Sequence, residues 1–140
     1  MKKVVLNSCY GGFGVSKEGV LEVLKRKGLT VVEETGDKFL YRFLASDGNE
    51  YGKFSFDRED TELIAAIKEC GSKFMSDDCS FLEIEEYDDE NFTYWIDEYD
   101  GVESLMLEPV VSESKLVNCK SVEEIIDYLE SLNIYVKRTK

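Results

Sequence analysis

Cys9, Ser16 and the glycines between them (Gly11, Gly12 and Gly14) are the residues of this chain whose types and spacing could do chemistry. They stand in LNSCYGGFGVSKEGV, residues 6–20, where an apolar run leads into the glycines and a helical pattern leaves them. Glycines let backbone N–H groups approach a ligand, and the first turn of a following helix adds unsatisfied donors and a positive dipole end. Such a loop can hold a phosphate or another anion, with Ser16 adding a hydroxyl. GGFG matches neither G-x-x-x-x-G-K-[ST] nor G-x-G-x-x-G, so no named nucleotide motif is present. A turn needing φ > 0 at Gly11, Gly12 or Gly14, with Phe13 tucked into the core, explains the same residues. Cys9 is a different kind of candidate, because a thiolate near a helix N-terminus is stabilised and nucleophilic. The chain has no histidine, so only carboxylates, tyrosines and lysines could serve Cys9 as acid–base partners. A small buried thiol at a strand end accounts for Cys9 more simply. The balance points away from an enzyme, and no catalytic residue is assigned.

The second chemical feature is charge. The net charge of −13 is unevenly placed: residues 1–28 carry six Lys/Arg against two Glu, and the other 112 carry 11 bases and 28 acids. Between Ser76 and Glu103 there are twelve acids and no base. Such a field repels nucleic acid and favours basic partners, although solubility alone also explains it. Glu85, Glu86, Asp88, Asp89 and Glu90 could coordinate Ca²⁺ or Mg²⁺, but their spacing does not match the D-x-[DN]-x-[DN]-G loop. Cys9, Cys70, Cys79 and Cys119 lack C-x-x-C pairing, which argues against structural zinc. No metal and no cofactor is expected. MKKVVLNSCYGG has too short an apolar run for a signal peptide, and no stretch approaches the ~20 apolar residues of a membrane span. A cytoplasmic protein with free thiols is therefore expected, with no membrane association.

These groups must be positioned by secondary structure. KVVLN (3–7) reads as a buried strand. Ser16 can cap a helix to about Lys27, with Val20, Leu21 and Leu24 inward and Gly28 as the stop. LTVVEET, DKFLYRFLAS (with Phe39, Tyr41 and Phe43 alternating) and YGKFSF predict an antiparallel meander. Asp60 or Thr61 starts a second helix whose Leu63, Ile64, Ile67 and Cys70 share a face and which Gly71 ends. SFLEIEEY, FTYWIDEY and VESLML read as strands, the last two joined by a tight turn at Asp100-Gly101. Pro109 marks a break, SVEEIIDYLESL opens with Ser121 and Glu124 in capping-box spacing, and NIYVKR can return as an edge strand. The order β-α-βββ-α-βββ-α-β predicts a single α+β domain over 1–140, with a mostly antiparallel sheet packed with two or three helices.

Four stretches also resemble a family of small bacteriophage and prophage proteins. They are Cys9-Tyr10-Gly11-Gly12-Phe13-Gly14-Val15-Ser16 (CYGGFG[LV]S), Arg58 to Leu63 (R-x-D-P-x-L), LEIEEYDDE, and Trp95 to Glu103 (W-x-I-x-EYDG-x-E). The resemblance covers residues 3–105. Thr61 replaces the helix-starting proline, and 107–140 has no counterpart, so a helix and strand there would be an addition to the common core. The family brings no assigned activity. It implies a setting, a small accessory protein acting against a host system in a bacterial cell. It also raises the possibility that the glycine loop, Arg58 and the EYDG turn converge. Arg58 would then bind an anion bidentately, and Asp97, Glu98 or Asp100 would accept hydrogen bonds from a ribose or an amine. Pairing of Arg58 with a nearby acid such as Asp60 is the simpler alternative.

The leading expectation is thus a non-enzymatic counter-defence protein that binds a small phosphorylated or nucleotide-like ligand. Its site would comprise Asn7, Cys9, Tyr10, Gly11, Gly12, Phe13, Gly14 and Ser16, with Arg58, Asp97, Glu98, Tyr99 and Asp100. The alternative is an acidic interaction protein whose strands between Leu82 and Glu103 block a basic surface of a host nuclease or DNA-binding protein. A small enzyme using Cys9 comes third.

Overall fold

A computed structural model describes residues 1–111 and 113–132. In chain order the elements are β1 (Lys2–Asn7), α1 (Lys17–Arg26), β2 (Val31–Gly36), β3 (Tyr41–Ala45), β4 (Glu50–Gly52) and α2 (Thr61–Cys70). They continue with α3 (Ser72–Met75), β5 (Leu82–Tyr87), β6 (Phe92–Tyr99), β7 (Val102–Pro109), α4 (Glu113–Val117) and α5 (Val122–Ser131). The fold is α+β, and among the described residues every strand pairing is antiparallel. The strands do not form one sheet, however. They divide into β1–β5, β2–β3–β4 and the β6–β7 hairpin. The hairpin meets β1 through side chains rather than through a hydrogen-bonded ladder, which is why the expected single sheet is split.

β1 explains its own apolar run. Successive side chains of a strand point to opposite faces, and both faces of β1 are covered. Val5 enters the larger core, with Val20, Val23 and Leu24 of α1, Phe43 of β3, Leu63 and Ile67 of α2, and Met75 and Leu82. Val4 and Leu6 face the other way, with Tyr87, under Phe92, Tyr94, Ile96 and Leu105 of the hairpin.

Local chemistry sets most boundaries as expected. Ser16 caps α1, its Oγ accepting from the Gly19 N–H at 2.9 Å, and Asp60 caps α2 by accepting from Glu62 and Leu63. Leu63, Ile64 and Ile67 are buried, and Cys70 is half-buried against the core. Two packing expectations need correcting. In α1 the buried stripe is Val20, Val23 and Leu24, spaced i, i+3, i+4, and Leu21 turns to solvent. Phe39 does not join the alternation of Tyr41 and Phe43. Asp37 Oδ1 accepts from the Phe39 and Leu40 N–H groups, so the chain is still turning there and Phe39 is exposed.

The short helices α3 and α4 carry no periodicity long enough to be read from sequence. The strand expected at NIYVKR lies outside the described residues. At the Asp100-Gly101 turn both residues have positive φ (50° and 89°), the two-residue loop whose twist suits a hairpin.

Candidate functional site

Asn7 ends β1 with its side chain fully buried, and it organises the region where the sequence motifs meet. Its Nδ2 donates to the carbonyls of Cys9 and Gly101, both at 2.7 Å. Its Oδ1 accepts from the Phe81 N–H at 2.8 Å and the Cys9 N–H at 3.3 Å. One amide therefore joins the glycine loop, the entry to β5 and the hairpin turn, and uses both its donors and its acceptor. The Asn7 backbone N–H donates to Glu103 Oε1 at 2.8 Å.

Glu103 is also where Arg58 goes. The guanidinium forks onto both carboxylate oxygens, with Nη2 to Oε2 at 2.7 Å, and Nη1 also reaches the Val5 carbonyl at 3.3 Å. Its plane lies over the Phe13 ring, Cζ to centroid 3.6 Å. The Glu103 side chain is only 7% exposed and that of Arg58 25%, so this is a part-buried, bidentate, stacked pair, the geometry for which arginine is suited. Asp60, the simpler partner suggested by sequence, instead caps α2 and receives Lys27 Nζ at 2.7 Å.

The glycines complete a clasp. Gly11 and Gly12 have φ of 126° and 107°, and the Gly11 N–H points at the Asp100 carbonyl, 3.4 Å away. A Cβ on Gly101 would stand 2.5 Å from the nitrogens of both Gly11 and Gly12. Two backbones thus pass at a separation that no side chain permits. Gly14 approaches the Asp77 carboxylate, which Lys53 holds at 3.3 Å. Ser16 Oγ donates to the Phe74 carbonyl while capping α1.

The glycine loop, Arg58 and the EYDG turn are brought together, then, but facing one another. Cys9 is half-buried, both its backbone groups bond the Asn7 side chain, and its thiol makes no hydrogen bond among the described residues. Tyr10 and Tyr99 are exposed at the rim, at 67% and 78%. Asp97, Glu98 and Asp100 are exposed as well. Beside the α1 N-terminus opens a groove of about 760 Å³, where Lys17, Lys38 and Lys73 are offset by Glu18, Asp77 and Asp78. Burial pushes the Tyr41 phenol up, so at its edge Tyr41 is a neutral donor to the Val15 carbonyl.

No protein-family model matches the chain, and no curated protein or solved structure is detectably similar to it. The four motifs must be judged by what they do here.

Glu103 is the residue that sequence reasoning missed. It closes the W-x-I-x-EYDG-x-E motif, which was its one signal, but nothing local links it to Arg58, 45 positions earlier. Among the described residues, no group of three or more Cys, Asp or Glu side chains is arranged to hold a metal ion, and no helix is long and apolar enough to cross a membrane.

Proposed function

We propose that this protein acts by binding a basic protein surface with the acidic strands β5–β7, and that the glycine loop is the joint that holds the hairpin in place for that contact. The observation that carries this reading is a set of carboxylates without partners. Glu83, Glu85, Glu90, Asp97, Glu98 and Asp100 are all exposed, and none forms an ion pair among the described residues. On the outward face of the same hairpin, Trp95 sits opposite Met106, at 47% and 39% exposure, with Tyr99 at the tip. Exposed aromatics beside like charges give a partner both area to bury and a sign to match.

The other readings draw less from the geometry. A phosphorylated or nucleotide-like ligand at the glycine loop would meet a Ser16 hydroxyl already engaged twice, an Arg58 already neutralised and the Asp77 carboxylate beside Gly14. An enzyme built on Cys9 would need a base near a thiol that has no hydrogen-bond partner among the described residues. The resemblance to phage proteins supplies the setting for the favoured reading: a non-enzymatic counter-defence protein in the cytoplasm of a bacterial host, its partner a nuclease or other DNA-binding protein with a basic groove.

The test is capture from bacterial lysate on immobilised protein, across a salt titration, beside a Glu83→Lys/Glu85→Lys/Asp97→Lys variant. A nucleic-acid-binding protein that is released as salt rises and ignored by the variant is the expected result. Equal capture of the same partner by the variant at high salt refutes the proposal.

A further inference from the structure

The basic end of the chain has a destination that neither the glycine loop nor the acidic strands account for. A groove of about 610 Å³ runs between β1 and α2, lined by Lys2, Lys3, Glu59, Ile64, Ala65 and Lys68. Three lysines face one carboxylate there, in a molecule whose net charge is −13. β1 and α2 are both fixed by the larger core, Val5 on one and Leu63 and Ile67 on the other, so the lysine stems start from rigid elements. Lys3 from β1 and Lys68 from α2 line this same groove, one from each wall. Ammonium groups have no acceptor for each other and repel across a shared groove. Lys3 is only loosely held, by Glu86 at 3.8 Å, whereas the Met1 amine beside it is taken by Asp89 at 3.0 Å.

We propose that this groove is an anion site, taking a phosphoryl group between Lys3 and Lys68 with any apolar part of the ligand lying over Ile64 and Ala65. A phosphoryl group offers three acceptor oxygens and about two negative charges, so it can accept from both amines and remove their repulsion. Lys2 adds a third donor, and an entering anion competes with Glu59 in the lining and with Glu86, which lies outside it and pairs with Lys3. The Lys68 amine is held below the ordinary lysine range, first by its contact with Lys3, then by desolvation and the Lys3 charge, with Glu86 opposing. An occupied site reverses the leading cause. The ligand is either free phosphate or a phosphate monoester. This inference does not depend on the acidic surface, and either can fail alone.

The experiment is NMR titration of the lysine ε-methylene groups with inorganic phosphate and with phenyl phosphate, at ionic strength held constant with chloride. Saturable shifts at Lys3 and Lys68 are expected, with the Lys68 titration midpoint rising as phosphate binds. Affinity falls about tenfold in Lys68→Met, one charge-assisted contact being lost. Lys68 is exposed on α2, so that variant keeps its fold, and the methyl spectrum verifies it. Phenyl phosphate binding several-fold tighter than inorganic phosphate assigns the site to organic phosphates, and equal affinity assigns it to the free ion. Shifts that grow linearly with either anion, or an affinity unchanged in Lys68→Met, overturn the proposal.

Discussion

Glu98 and Glu103 stand directly opposite each other across the hairpin, and they live under opposite conditions. Glu103 is buried, forked by Arg58 and hydrogen-bonded by the Asn7 backbone. Glu98 is exposed and has no ion pair among the described residues. Like charges facing each other across a strand pair are destabilising, and here one of the two is neutralised by Arg58, 45 positions earlier in the chain. The contrast extends to the regions around them. At the clasp, polar groups are satisfied within the chain, which is what a structural joint requires. Along β5 and β6, Glu83, Glu85, Asp97 and Glu98 are exposed and without an ion pair among the described residues, which is what an interaction surface retains.

Breaking the clasp has the largest expected effect. Arg58→Ala leaves Glu103 buried without its counter-ion, a change that costs about 3–5 kcal/mol in such pairs. Denaturant unfolding measures it, and a loss below about 1 kcal/mol would show that water, not Arg58, satisfies Glu103. Arg58→Met with Glu103→Leu recovers only part of the loss: the ion pair is replaced rather than broken, but the Asn7 N–H loses its acceptor. Asn7→Leu comes next: it orphans the Phe81 N–H and the Gly101 carbonyl, at about 1–3 kcal/mol for each group left unpaired. Gly101→Ala is a strain test. Its φ of 89° and the 2.5 Å approach to Gly11 and Gly12 predict a loss of roughly 1–3 kcal/mol, seen as a lower Tm, while Gly48, with open space at its Cβ position, bears only the φ penalty.

Glu83→Lys/Glu85→Lys sharpens the comparison from the other side, with stability within about 0.5 kcal/mol of the parent but salt-sensitive partner capture lost. The smallest effect is an acid limb. Hydrogen bonds from Tyr51 and Asn49 hold the Asp47 carboxyl below its usual range, and one from Asn91 does the same for Asp88. The stability these groups contribute is complete above the ordinary aspartate value of about 3.9 and is lost as pH falls through their lowered values. Asp47→Asn therefore flattens the loss of Tm between pH 4 and 2.

What could be read from sequence was local. Ser16 caps α1 because its partner N–H is three residues away, and Asp60 caps α2 for the same reason. Pairings of that range are written in spacing. The Asp100-Gly101 turn is legible because a two-residue loop fixes its own register. Phe39 was misread because an Asp37 turn outranks alternation, and Leu21 because the choice between it and Val23 depends on where α2 lies. The convergence of the glycine loop, Arg58 and the EYDG turn was raised from the motifs, but that Arg58 would pair with Glu103, and Gly101 pack on Gly11 and Gly12, was beyond reach for a sharper reason. The sequence shows unusual residues in each motif but not that one motif's acceptors are another's donors. Residues that look ready for a ligand in isolation turn out to be each other's ligands.

The bond from the Asn7 N–H to Glu103 spans 96 positions. Contacts of that separation form only after the intervening chain has been confined, so they slow folding far more than they affect final stability. On a ribosome, β1 emerges long before β5, the strand it pairs with among the described residues, and before the hairpin that covers its second face. An apolar strand destined to be covered on both sides must therefore wait, uncovered, for most of the chain to be made. The same arrangement that locks the hairpin makes newly made β1 the segment most in need of protection, and Lys2 and Lys3 at the start of the strand supply charge that discourages pairing with neighbours.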